Sequence, residues 1–230
     1  MSSPRRWVWG GLLCASLSGA CAEPDAPEMH PDDVLPRAGF RFERDTLLSD
    51  ADMRDVTFAR VDAIQRSLDK TRYNQPSFLA TYRSHGVLAS QALERSAKAH
   101  RISPRVLLVF SQLVGQLVSA RSYPLPPSRV EYAFGCGCTI KETCEQSAGG
   151  YGEQVECLAK RLAASMATLE KGGTTPAGYA VGKVKVTLDG VRVTPSNAAT
   201  AAVYDVLQDV SEGKGGAWLF AVLASKEGWL

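Results

Sequence analysis

The chain has 230 residues, of which 45% are apolar and 22% are charged, and its formal net charge is +2. Length and composition fit one globular domain with extensions. Two of the 26 basic residues, Arg5 and Arg6, lie in a segment expected to be removed. Their removal leaves 24 basic and 24 acidic residues. A chain so balanced lacks the basic footprint that nucleic-acid binding requires. We therefore expect no nucleic-acid partner.

Residues 1–22 have the pattern of a secretory signal. The basic pair Arg5-Arg6 precedes an apolar stretch over residues 7–17, and small residues follow. Two cleavages remain open. Cys21 ends a lipobox-like Ser-Gly-Ala-Cys and would carry a lipid, whereas release after Ala22 would give a free protein. We favour the lipoprotein, which would be exported and either periplasmic or tethered to the outer membrane.

The rest of the chain divides into a tether and one domain. Residues 23–39 are rich in Pro, Asp and Glu, which is typical of a disordered spacer. Residues 40–230 form the predicted domain. No other stretch approaches the ~20 apolar residues of a membrane span, so any membrane contact is expected through the lipid.

The central element is a helix that begins at Ser103-Pro104 and runs about four turns. Serine is a good N-cap, and proline suits the first helical position. Apolar residues cover most of its faces, which is typical of a buried helix.

Other helices follow from apolar residues at helical spacing, and Asp189-Gly190 between alternating segments predicts a β-hairpin. The remaining helices are expected from about Thr57, over residues 88–100, over residues 151–171 and from Thr194-Pro195.

The last four cysteines form a separate pattern. Export places Cys136, Cys138, Cys144 and Cys157 in an oxidising compartment, where an even number of cysteines favours two disulfides. Four thiolates in a zinc site are the alternative, although C-x-C is not the usual zinc spacing. Four cysteines allow three connectivities, so their spacing leaves the pairing open. We expect no metal and no cofactor.

The central stretch follows the pattern I-N-P-x-x-L-L-x-x-x-Q-x-E-x-G-L-V. The matching residues are Ile102, Pro104, Leu107, Leu108, Gln112, Leu117 and Val118. This stretch resembles secreted bacterial envelope proteins with a lysozyme-like, glucosaminidase-related domain. The resemblance implies a mainly α fold around a buried helix, with a small hairpin and a disulfide-stapled loop. Its catalytic glutamate position is Val114 here.

Two further motifs occur in the family's order. Residues 135–144 followed by residues 150–155 are similar to its G-x-G-C-P-D-x-x-x-C and G-F-x-x-Q segments, and residues 197–204 to its N-x-A-T-A-A-L-Y helix. The resemblance implies a Cys138–Cys144 pair, which leaves Cys136 to Cys157. It also implies that Asn197 caps a helix.

The resemblance implies a partner, which is peptidoglycan or another envelope glycan. Glycosidases require a carboxylic acid at the scissile oxygen, and Val114 has none. We therefore expect a glycan-binding relative rather than a working hydrolase. Glu131 is the candidate for a relocated catalytic acid. The candidate glycan contacts are Gln112, Tyr132, Phe134, Tyr151 and Gln154. The alternatives are an active β-1,4 glycan hydrolase and a secreted protein–protein interaction module.

Overall fold

The structure is a computed structural model that describes residues 31–138 and 143–227. The predicted signal over residues 1–22, its lipidation site Cys21, and residues 23–30 of the predicted tether lie outside the described residues. Within the described ranges, no helix has the length and apolar character needed to cross a bilayer.

The described chain is mainly helical, with two short antiparallel hairpins. The helices are α1 Pro31–Val34, α2 Asp50–Arg54, α3 Val61–Asp69, α4 Ala89–His100, α5 Pro104–Gly115, α6 Pro127–Val130, α7 Tyr151–Leu169, α8 Ala198–Val206 and α9 Gly216–Glu227. The strands are β1 Arg83–Ser84, β2 Val87–Leu88, β3 Lys185–Val186 and β4 Arg192–Val193, and β1 pairs with β2 and β3 with β4. The mainly α class with a small hairpin is confirmed.

Helix α5 is the buried centre of the fold, as predicted. It begins at Pro104 after the N-cap Ser103 and ends when Gln116 adopts a left-handed conformation. Helices α4, α6, α7 and α9 all contact it. Phe110 packs against Phe220 of α9 with the ring centroids 5.2 Å apart. Since side chains on nearly every face of α5 are apolar, burial on all sides removes the most apolar area from water.

Helices α4 and α7 form the most extensive helix pair in the described part of the chain. The face of α4 that is buried carries small residues, among them Ala89, Ala92, Ser96 and Ala97. Small side chains allow two helix backbones to approach closely. The predicted boundaries of these two helices agree with the structure to within two residues.

Two helices begin later than predicted, for local reasons. Helix α3 begins at Val61 because Asp55 accepts hydrogen bonds from the N–H (2.9 Å) and hydroxyl of Thr57, which fold that segment into a turn. Helix α8 begins at Ala198 rather than at Thr194-Pro195. Its N-cap is Asn197, whose side-chain oxygen accepts from the N–H of Thr200 at 2.8 Å. The predicted capping role of Asn197 is confirmed.

The end of the predicted tether is folded onto the domain. Residues 31–34 form α1, and the Asp33 side chain is fully buried. Its carboxylate accepts from the Tyr73 hydroxyl at 2.7 Å and from the Gln112 amide at 2.7 Å, and it pairs with Arg72. A buried carboxylate needs such donors to offset the loss of water. The spacer prediction is therefore wrong for residues 31–34.

The cysteine loop is closed by two disulfides, Cys136–Cys157 and Cys138–Cys144. This is the pairing that the family resemblance implied. The first disulfide ties the loop to α7, which contains Cys157, and the second closes a small ring within the loop. Disulfides of this kind are typical of proteins from oxidising compartments.

The β3–β4 hairpin is held by Asp189 in its turn. Asp189 accepts hydrogen bonds from the N–H groups of Val210 and Ser211 at 2.8 and 2.6 Å, and from the hydroxyls of Ser211 and Thr187. Burial alone would raise the pKa of Asp189, but these hydrogen bonds lower it to about 2. The hairpin is thereby fastened to the segment that leads into α9.

This hairpin predicts an acid-dependent stability. An unfolded aspartate has a pKa of about 3.9, so the stabilisation from ionised Asp189 is present above about pH 4 and lost as the pH falls toward 2. We expect Asp189→Asn to be less stable than the parent at neutral pH, with the difference shrinking between about pH 4 and 2. Urea unfolding at a series of pH values measures this, with exposed Glu212→Gln as the control. A difference that stays constant across that range would contradict the assignment.

Candidate functional site

An open cleft of about 770 Å³ lies between the chain around Phe78, the β1–β2 hairpin and the segment that follows α5. Its lining includes Phe78, Tyr82, Tyr123 and Glu131. Clefts that combine aromatic walls with a few polar groups are the usual form of ligand sites. The predicted acid candidate, Glu131, therefore lies in a cleft rather than on an open surface.

Hydrogen bonds of its own N–H and carbonyl groups fix the position of Glu131. It caps the short helix α6 and donates its N–H to the Pro127 carbonyl at 2.8 Å. Its carbonyl accepts from the N–H of Gly150 at 2.8 Å, which ties it to the start of α7. The carboxylate Oε1 accepts from the Tyr82 hydroxyl at 2.7 Å and the Tyr123 hydroxyl at 3.4 Å. The carboxylate is therefore held at the cleft surface by two phenols.

Three aromatic rings form one wall. Phe78 meets Tyr82 edge-on with the centroids 5.5 Å apart, and Tyr123 lies 5.5 Å from Tyr82 and 6.3 Å from Phe78. Tyr123 is 52% exposed, whereas Phe78 is buried. A buried ring thus supports an exposed one, which leaves aromatic surface available to a ligand.

Both tyrosines remain hydrogen-bond donors at neutral pH. Burial and the hydrogen bond to Glu131 raise the pKa of Tyr82 far above its ordinary value. Partial desolvation and the charge of Glu131 also raise the pKa of Tyr123. Neither phenol ionises near neutrality, so the cleft presents two hydroxyl groups beside one carboxylate.

Local contacts explain how distant parts of the sequence form this wall. Ser77 caps the turn at Phe78 by accepting from the N–H of Leu79 at 3.2 Å, and it donates to the Leu117 carbonyl at 2.9 Å. The N–H of Phe78 donates to the carbonyl of Ala120 at 2.8 Å. The chain after α5 is therefore fixed against this turn, which brings Tyr123 next to Phe78.

Charged residues lie at the other side of the cleft. Arg83, His85 and Arg121 are exposed among its lining residues. The Nδ1 of His85 lies 3.1 Å from Oε1 of Glu153, and the hydroxyl of Ser84 donates to the other oxygen, Oε2, at 3.0 Å. Burial alone would raise the pKa of Glu153, but the hydrogen bonds, that from His85 foremost, lower it.

Gln154 is buried inside the protein, which corrects its assignment as a glycan contact. Its side-chain oxygen accepts from the N–H groups of Phe134 at 3.0 Å and Cys136 at 3.2 Å. Its amide nitrogen donates to the carbonyls of Cys136 at 2.9 Å and Ala148 at 2.8 Å. All four bonds are to the backbone of the cysteine loop. The side chain pairs with these loop backbone groups in the way that a neighbouring strand would. It has no exposed surface for a ligand.

Gln112 and Tyr151 are corrected for the same reason. The Gln112 oxygen accepts from the N–H groups of Val118 and Ser119 at 3.0 and 2.9 Å, and its nitrogen donates to Asp33. The hydroxyl of Tyr151 bonds Ser111 at 2.8 Å, and complete burial raises its pKa. Both side chains stabilise the interior.

Tyr132 and Phe134 are only half-buried, but they do not line the cleft beside Glu131. The aromatic residues that do line it, Phe78, Tyr82 and Tyr123, were not predicted. The sequence offered one signal for them, since Ser77-Phe78 and Tyr123-Pro124 both interrupt helical segments with an aromatic residue. Their proximity depends on contacts between residues that are 40 or more positions apart.

Val114 lies near the end of α5 and is 44% exposed. The surface at the family's glutamate position therefore carries an isopropyl group and no titratable one. Val114 is not among the residues that line the cleft around Glu131.

No group of three or more His, Cys, Asp and Glu residues forms a potential metal site in the described ranges. The four cysteines that a zinc site would require form the two disulfides instead.

Comparison of the chain with protein-family models, with curated proteins and with solved structures gives no match.

The role of Gln154 leads to a stability prediction. Gln154→Leu would leave two N–H groups and two carbonyls of the loop without a partner, each worth ~1–3 kcal/mol when buried. We expect the free energy of unfolding to fall by about 3 kcal/mol or more, and amide exchange at residues 134 and 136 to accelerate. Denaturant unfolding and hydrogen exchange measure both. Half-buried Gln208→Leu is the control, and equal effects of the two changes would contradict a special role for Gln154.

Proposed function

We propose that this protein is an exported cell-envelope protein whose domain binds glycan, and that the cleft of Phe78, Tyr82, Tyr123 and Glu131 is the binding site. The observation that carries the proposal is the exposed Tyr123 ring, supported from behind by Phe78 and placed beside two phenol hydroxyls and a carboxylate. Aromatic faces pack against the C–H faces of sugar rings, and hydroxyl and carboxylate groups bond sugar hydroxyls.

The choice of peptidoglycan as the ligand class rests on the resemblance of three motifs, in the family's order, to lysozyme-like envelope proteins. A mainly helical fold around the buried helix α5 is compatible with that domain. Export is supported by the signal-like residues 1–22 and by the two disulfides. Lipid attachment at Cys21 belongs to the same proposal.

Binding without hydrolysis is favoured by the side chain at position 114. A glycosidase of this type protonates the scissile oxygen with a carboxylic acid. The exposed isopropyl group of Val114 has no proton to give. The domain would then hold or recognise the glycan and leave it intact.

The binding proposal is tested with soluble peptidoglycan strands and isothermal titration calorimetry. We expect Tyr123→Ala to weaken binding about 10-fold, because the exposed aromatic face is lost. Tyr123→Phe should keep most of the affinity, since only a 3.4 Å hydrogen bond is removed.

Tyr132→Ala is the matched control for this experiment, since Tyr132 is a half-buried tyrosine outside the cleft lining. It should leave the affinity within about 2-fold. A loss with Tyr132→Ala but not with Tyr123→Ala would move the site to the cysteine loop. If the parent ignores peptidoglycan altogether, the protein–protein interaction module becomes the better proposal.

A hydrolase is the second candidate, and the position of Glu131 in the cleft favours it. If Glu131 were a relocated general acid, the parent would release reducing ends from peptidoglycan, and Glu131→Gln would lower the rate by ~10²–10⁴-fold. Our binding proposal instead expects no release from either protein. Exposed Glu145→Gln is the control, and release that survives Glu131→Gln would assign the acid elsewhere. Activity of a known muramidase on the same substrate validates a negative result.

A further inference from the structure

The β3–β4 hairpin carries an apolar face that nothing in the described structure covers. Val184, Val186 and Leu188 are 66%, 52% and 72% exposed. Side chains two residues apart point to the same face of a strand, so these three residues form one outward row. Between them, Thr187 is buried against the domain. The pattern is the reverse of the usual one, in which the solvent-facing side of a two-stranded hairpin is polar.

Hydrogen bonds fix the hairpin to the rest of the domain. The N–H of Leu188 donates to the Gln208 carbonyl at 2.8 Å, and the N–H of Gly182 donates to the Pro195 carbonyl at 2.8 Å. Asp189 fastens the turn to Val210 and Ser211. The apolar row is therefore presented by a supported element.

The charge around this row is positive. Arg192 is paired with Val186 across the hairpin, and directly opposed residues share a face. Lys183 precedes the row and is exposed. Lys185 lies between Val184 and Val186 and therefore points to the opposite, domain-facing side, where its Nζ lies 5.9 Å from the centre of the buried Tyr179 ring. The carboxylate of Asp189 is ionised at neutral pH, but its hydrogen bonds hold it against residues 210 and 211 rather than beside the apolar row.

An apolar row flanked by cations fits the surface of an anionic membrane. Apolar side chains enter the boundary between headgroups and acyl chains, while Lys and Arg attract anionic headgroups. A second copy of the chain fits less well, because a stable protein interface engages ~20–30 residues on each side. The row is much smaller, and two copies would bring like charges together.

We propose that the outward face of the β3–β4 hairpin docks onto an anionic lipid surface, with Val184, Val186 and Leu188 at the acyl boundary and Lys183 and Arg192 at the headgroups. This site is independent of the glycan cleft, so either proposal can fail without the other.

The test places a fluorophore on the hairpin of the full chain. Leu188→Trp is mixed with vesicles of phosphatidylglycerol and phosphatidylcholine that contain brominated lipid, and the signal of the unsubstituted chain is subtracted. This readout reports contact at residue 188 however the N-terminus is attached. We expect quenching of the added tryptophan, weaker in pure phosphatidylcholine and weaker at high salt. Ala99→Trp, at an exposed position of α4, is the control and should not be quenched.

The charges are tested in the same background. Adding Lys183→Gln and Arg192→Gln to Leu188→Trp should lower the ratio of docked to undocked hairpin about 30-fold, since each cation near an anionic surface contributes about 5-fold. The matched control is Lys160→Gln with Lys171→Gln, which removes one exposed cation in the middle of α7 and one just after its end, and it should have little effect.

Three results would overturn the proposal. They are absence of quenching at residue 188, equal quenching at residue 99, and equal quenching in vesicles without anionic lipid. A concentration-dependent blue shift of the added tryptophan without vesicles would instead assign the face to a second copy of the chain.

Discussion

The fold depends on the burial of α5, a helix that has apolar residues on almost every face. Such a helix must be surrounded, and α4, α6, α7 and α9 do this. The chain stays buried from Gly115 to Val118 and reaches the surface only at residues 121–124. Gln116 turns it in a left-handed conformation, and the segment that follows runs over the turn at Phe78. The cleft lies where this exit segment meets the surface, so its position is a product of core packing.

Two buried carboxamide side chains form hydrogen bonds with loop backbone groups that no helix or strand pairs. Gln112 satisfies the backbone of residues 118 and 119, and Gln154 satisfies the loop around Cys136. Each side chain works as an additional peptide group inside the protein, where unpaired N–H and carbonyl groups would be costly. Neither loop could be held to the same degree by apolar packing. The disulfide Cys136–Cys157 then acts on a loop whose backbone is already paired.

The elements that could be predicted are those with local signals. Pro104 marks a helix start through chemistry within one turn. The family motifs implied the cap at Asn197 and the Cys138–Cys144 disulfide, which left Cys136 to pair with Cys157. Asp33 was misplaced because its Pro- and acid-rich neighbours are typical of a spacer, while its partners are distant in the sequence. Gln154 and Tyr123 were misassigned or missed for a related reason. An amide or a phenol serves equally well in a core or at a ligand site, and only the fold determines which.

Under the proposed lipid attachment at Cys21, the docking of Asp33 would limit how far the domain can stand from the membrane. A spacer of residues 23–39 would extend at most ~60 Å, at ~3.5 Å per residue, whereas residues 23–30 alone extend less than ~30 Å. Tension on that spacer would first meet the bonds from Asp33 to Tyr73 and Gln112, and so would reach α5 directly. The tether would therefore be short, and a force applied through it would act on the central helix of the fold.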